Sequence, residues 1–159
     1  MGKEVERYTR RDSLRLEGFD YAARRVYFVT LVVAGRRKVF LDEGPARATV
    51  SCLLELCDRL NFRVYVYTLM SDHFHALRGL GESGKTLCQV CEAFKSLTTR
   101  AYWQWREGKL WQRQFYDHIV RNEDDSFETA AHIRSNPVRG GLVESWEAWP
   151  HTGVCDWQG

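Results

Sequence analysis

The sequence predicts one domain of the α+β class, and three observations carry that prediction. Its 159 residues suit a single core rather than several. Strand-like and helix-like segments follow in the order strand, helix, two strands, helix, possible strand, helix. Apolar residues make up 44% and charged residues 28%, so there is enough apolar side chain to fill an interior. The longest apolar stretch, 26–34, is far short of the roughly 20 residues that cross a bilayer. No charged start, apolar run and small-residue cleavage site open the chain. A membrane or secreted protein is therefore not expected, and a cytoplasmic one is.

Taken in order, residues 1–25 are polar and Arg-rich and read as an irregular basic arm packed on the domain. Residues 26–33 are β-branched or aromatic almost throughout, the pattern of a central strand covered on both faces. Gly44 and Pro45 open a helix whose stripe is Val50, Leu53, Leu54, Cys57 and Leu60, and Asn61 ends it. Residues 63–69 alternate as a second strand, and Met70-Ser71-Asp72 turns into a third over 73–78. A long helix is expected over about 85–106, with Leu87, Val90, Cys91, Phe94, Leu97 and Ala101 inward. Residues 110–120 form a fourth strand or an extended loop. Asp125 and Glu128 have capping-box spacing for a last helix, which Pro137 is expected to end near Ser135. The main domain is thus 26–150, with 151–159 as a tail.

The net charge is only +2, but its distribution is uneven. Residues 1–40 carry ten bases against five acids, and 85–113 carry six against two. That favours a localised surface facing a polyanion over a generally basic protein, with a merely solvated face as the plain alternative. The five cysteines are an odd count with no export signal. Cys88 and Cys91 form a lone C-x-x-C inside a helical pattern without a second pair, so reduced core thiols are expected rather than zinc.

The residues with metal chemistry are His73 and His75. Side chains alternate on a strand, so both imidazoles share a face while Phe74 enters the opposite layer. Two such imidazoles can hold a divalent cation and leave positions for oxygen ligands. His132 and Asn136 are an i, i+4 pair on one helix face, and an amide oxygen is a suitable hard ligand. The plain alternatives are two surface histidines and an asparagine that ends its helix.

Several longer blocks resemble the REP-associated tyrosine transposases and the related IS200-like single-tyrosine transposases. They are the segment from Arg11 through Tyr21 followed by Tyr27-Phe28-Val29-Thr30, then Met70-Ser71-Asp72-His73-Phe74-His75, Phe94-Lys95-Ser96-Leu97-Thr98-Thr99-Arg100, Leu110 through His118, and Ile133 through Val143. Ser71-Asp72 departs from the usual Pro-Asn of the histidine block. The resemblance implies the ferredoxin-like HUH endonuclease fold, an antiparallel sheet with helices packed on one side. It implies Mg²⁺ or Mn²⁺ held by His73, His75 and Asn136, a single-stranded or hairpin DNA partner, and a homodimer as the usual assembly. The helix bearing Lys95, Ser96, Thr99 and Arg100 matches the one facing DNA.

Other candidate contacts follow from residue type. Arg10, Arg11 and Arg15 on the arm, with Arg113 and Arg139, are candidate phosphate contacts. Trp103, Trp105, Trp111 and Tyr116 are flat surfaces for unpaired bases, or else core residues.

The family's nucleophilic tyrosine lies four residues before the asparagine, and here that position is His132. The open explanations are lost cleavage with DNA binding kept, His132 as a nitrogen nucleophile or extra metal ligand, another tyrosine such as Tyr116 or Tyr102, or a metal-activated water.

Overall fold

The computed structural model describes residues 9–10, 26–121 and 123–155. Their strands are β1 (Thr9–Arg10), β2 (Val26–Val32), β3 (Arg63–Leu69), β4 (His73–Gly79), β5 (Tyr116–Val120) and β6 (Thr152–Val154). They form one sheet in the order β1-β5-β2-β4-β3-β6, antiparallel throughout. The helices are α1 (Glu43–Leu60), α2 (Leu87–Tyr102) and α3 (Glu123–Arg139). The α+β class and antiparallel sheet are as expected.

The continuous apolar run in β2 explains how the layers stack. Tyr27, Val29 and Leu31 pack with Leu53 and Leu56 of α1 and with Val90 and Phe94 of α2. Phe28, one residue out of phase, packs on the other face with Val66, Leu77 and α3's Ala130 and Ile133. A central strand that is apolar on both sides needs cover on both. The helices therefore divide across the sheet, with α3 opposite α1 and α2, which revises the one-sided arrangement expected from the resemblance.

Local chemistry sets the ends of the elements. Asn61 stops α1 in the left-handed conformation at φ 58°, as expected, and its N–H donates to the Cys57 carbonyl. Thr86 and Gln89 form a reciprocal capping box at the start of α2. α2 ends at Tyr102, short of 106, because the N–H groups of Gln104 and Trp105 tighten to i−3 carbonyls. On its inner face Thr98 and Tyr102 are buried where Leu97 and Ala101 were expected. The Thr98 hydroxyl is satisfied by donating to the Phe94 carbonyl and accepting from Trp111 Nε1.

Two expectations for α3 need correction. It starts at Glu123, so Asp125 lies inside it and accepts from the Arg121 N–H instead of capping it. It also runs through Pro137 to Arg139. Proline removes one N–H near the last turn, and the end is then sealed beyond it: Leu142 N–H donates to the Pro137 carbonyl and Gly141 N–H to that of Val138. Gly141 supplies the positive φ of 74° that this Schellman closure requires.

Residues 110–115 are an extended passage in which Trp111 bridges to Val33, and regular pairing begins only at Tyr116. From 151 the chain returns to the sheet, where β6 pairs with β3. None of the five cysteines is in a disulfide. Cys91 is fully buried and burial pushes its thiol up to about 12, as suits a core residue.

Candidate functional site

β4 sets the site by its register. His75 pairs across from Thr30 of β2 and Thr68 of β3, and His73 across from Val32. Both imidazoles lie on the α3 face, edge to face with ring centroids 4.6 Å apart. His132 of α3 joins them, its ring 6.4 Å from that of His75. Beneath lies Phe28, 5.2 Å from His75, 6.1 Å from His132 and stacked at 5.4 Å on His118.

Each strand histidine is oriented through Nδ1. His73 Nδ1 donates to the Asp72 carboxylate at 2.7 Å, and His75 Nδ1 is hydrogen-bonded to Thr30 Oγ1 at 2.8 Å. Nε2 is then the ring atom left on each for a ligand. Asp72 is also 3.5 Å from the Arg36 guanidinium. Burial holds the His75 pKa well below the ordinary range, helped by His73, His132 and Arg139. His132 is lowered too, first by burial and then by Arg139. Neutral imidazole is the form that ligates metal, which suits His75, and the neighbouring Nε2 atoms of His73 and His75 are nitrogen donors of the kind that fit a divalent cation. Among the described residues no three His, Cys, Asp or Glu side chains form a complete cage. The pair supplies two nitrogen donors, so a cation there would need oxygens from an amide, a phosphate or water.

Asn136 lies one turn beyond His132 on α3, partly buried. Arg139 turns back along the helix and donates from Nη2 to the His132 carbonyl at 2.8 Å. Tyr116 pairs across from Thr30 on the flank opposite His75. Register therefore puts Tyr116 on the histidine face, two strand spacings or about 10 Å from His75 along the sheet.

The expected DNA-facing residues of α2 divide. Ser96 and Arg100 are exposed. Lys95 is largely covered: Nζ donates to the Arg113 carbonyl at 2.6 Å and lies 3.7 Å from Glu92. The Thr99 hydroxyl donates back to the Lys95 carbonyl. Trp111 is buried, which removes it as a stacking surface, whereas Trp103 and Trp105 are about half exposed. Arg10 lies in β1, with its side chain outside the described residues, and Arg11 and Arg15 fall outside them altogether.

Sequence reasoning missed Thr30, Phe28 and Arg37. Arg37 donates to the Ala34 carbonyl, Tyr102 Oη and the Lys109 carbonyl, fastening the chain after α2. Phe28 and Thr30 belong to the family-like block 27–30, which was a usable signal, whereas nothing local in the sequence marks Arg37. Asp72 was visible only as a departure from a motif, although its place beside His73 was a usable signal.

Comparison with known proteins agrees with the fold. The family model described as "Transposase IS200 like" matches residues 23–133. A Haemophilus influenzae protein described as a REP-associated tyrosine transposase is 26% identical over 84% of this chain and 81% of its own length. The REP-associated tyrosine transposase of Escherichia coli is 26% identical over 78% and 73%. A solved REP-associated tyrosine transposase bound to a REP hairpin superposes with a TM-score of 0.73 at 22% identity, covering 91% of this chain and 92% of that one. With 111 of its residues inside that family model, the chain belongs to the IS200-like transposase family.

Proposed function

We propose that this protein binds single-stranded or hairpin DNA and presents a phosphate to a divalent cation, Mg²⁺ or Mn²⁺, held by His73, His75 and Asn136. The observation that carries the reading is the imidazole pair, 4.6 Å apart and with both Nδ1 atoms already engaged. The hairpin held by its structural neighbour supports the choice of DNA. A cation at this site would supply charge to polarise a scissile phosphate. The chain's own residues do the rest. Asp72 and Thr30 fix the rings, burial keeps His75 neutral, and Arg139 adds positive charge beside His132. With His132 where the family carries its tyrosine, the primary reading is DNA binding without covalent strand cleavage. A homodimer, the usual assembly in the family, is part of the proposal, and light scattering tests it.

The register of Tyr116 favours one second reading. Its phenolic oxygen attacks the phosphorus and its proton passes to a neutral imidazole or to solvent, while the P–O3′ bond breaks and the departing 3′ oxygen takes a proton from that imidazolium or from solvent to leave as a hydroxyl.

The test is a labelled DNA hairpin with Mn²⁺. A mobility shift at low salt without product supports the primary reading, and a denaturant-resistant adduct that Tyr116→Phe abolishes supports the second. Mn²⁺ binding is lost in His73→Ala with His75→Ala. No binding of hairpin or single strand at low salt overturns both readings.

A further inference from the structure

A cleft of about 420 Å³ opens between α2 and residues 103–113, on the face of the sheet away from the histidines. We propose that it seats one unpaired nucleotide of a DNA strand that crosses the end of the sheet, with the base on Trp103 and the phosphate between Arg100 and Lys109. This rests on the DNA-binding reading above and specifies a second contact for the same strand.

Its walls are built for a flat anionic guest. Trp103 is 51% exposed, unusual for the largest side chain. Its indole Nε1 already donates to the Gly108 carbonyl at 2.8 Å, so the ring is held without needing a hydrogen bond from a ligand. A base stacks on such a face whatever its identity. Four bases and one acid line the cleft. Two of the bases, Arg100 and Lys109, are exposed at its edge, while Lys95 ties α2 to the Arg113 carbonyl. The floor is firm: Trp111 is buried and donates from Nε1 to Thr98, and Arg37 holds the Lys109 carbonyl. The volume is in the range that holds a single small ligand.

The position of the cleft points to a nucleotide within a strand rather than a free one. Gln112 N–H donates to the Val32 carbonyl at 2.8 Å, and His73 pairs with the same Val32 from the other flank. Cleft and histidines thus share one end of the sheet on opposite faces, with the backbones of Gln112 and His73 two strand spacings, about 10 Å, apart across β2. A few nucleotides of flexible backbone reach from one to the other, whereas a straight duplex cannot turn that corner.

The experiment compares a blunt DNA hairpin with the same hairpin carrying a short single-stranded extension that contains 2-aminopurine. In the wild-type protein the extension should raise affinity about tenfold and quench the probe, as base–aromatic stacking does. Trp103→Ala should abolish both the gain and the quenching, and Trp103→Phe should restore them in part. Arg100→Ala with Lys109→Ala should reduce the gain. An extension that adds nothing, or a gain that Trp103→Ala leaves intact, overturns the cleft while DNA binding stands. Quenching of free 2-aminopurine nucleotide without any effect of the extension overturns the strand assignment. Failure to bind either hairpin sinks the DNA-binding reading as well.

Discussion

The Asp72 carboxylate accepts a hydrogen bond from His73 Nδ1 at 2.7 Å, although the two residues are neighbours in sequence. The strand begins at His73, so Asp72 sits at the turn where its side chain can bend back onto the ring. A carboxylate on the far nitrogen makes the near one a better ligand. Asp72→Asn keeps the size and loses the charge. Mn²⁺ affinity by calorimetry should fall about 10- to 100-fold, with the melting temperature little changed. Equal affinity in the variant would remove the carboxylate from the account.

Stability should decline in acid, and the sign follows from three histidines. Burial lowers the pKa of His75, His132 and His151 in the folded chain. The unfolded chain takes up protons near pH 6.5, where the folded chain still resists them. The stabilisation is therefore complete above about pH 6.5 and is lost as pH falls through the lowered folded values. His151 isolates the effect from the candidate metal site, being buried with its ring 5.3 Å from Trp149. Chemical denaturation with chelator present should show a flatter acid limb in His151→Leu, and an unchanged slope would refute the assignment.

Much of the fold was legible because its signals are local. The apolar run of β2 announced cover on both faces, Asn61 announced the end of α1, and H-x-H on a strand put two rings on one side. What the sequence concealed depends on register and on the other face. Thr30 reaches His75 only because β2 pairs with β4 in one particular alignment, 45 residues apart. α3 crosses Pro137 because Gly141 lets the chain close beyond it, a rescue stronger than the local proline signal. Lys95 looked solvent-facing by periodicity, yet residues 103–113 fold over it. Long-range pairing and loop placement have no periodic signature in a single chain.

Phe28 should matter to stability and to the site together. It is 1% exposed and lies under His75, His118 and His132. Phe28→Ala leaves a cavity between sheet and α3, which should cost about 3–5 kcal/mol in urea denaturation. Mn²⁺ affinity should fall with it, since the ring of His75 rests on Phe28 and loses its support. A variant that loses stability and keeps full affinity would show that the hydrogen bonds to Asp72 and Thr30 alone orient the rings.

Lys95 and Arg100 should separate in their salt dependence. Arg100 is an exposed cation on α2, so Arg100→Ala should weaken DNA binding for all sequences and reduce the slope of log affinity against log salt by about 1. Lys95 holds the Arg113 carbonyl, so Lys95→Ala should act through the position of 103–113. Its salt slope should change less than its affinity. Filter binding at several salt concentrations measures both, and equal slopes in the two variants would contradict the division.

His132→Tyr is the test of what the family's chemistry still needs here. The position is on α3 one turn before Asn136, and its present ring already lies 6.4 Å from that of His75. Residue 132 is exposed, so a phenol fits without disturbing the core. If the rest of the site is intact, the phenolic oxygen attacks the phosphate, the 3′ oxygen leaves, and the protein retains the 5′-phosphoryl end. A labelled hairpin with Mn²⁺ should then give a denaturant-resistant adduct in the variant and none in the parent. Adding His73→Ala should remove it, because a phosphate that is not polarised resists a neutral phenol. A variant that binds both metal and hairpin yet forms no adduct would show that the missing tyrosine is not the whole of the defect.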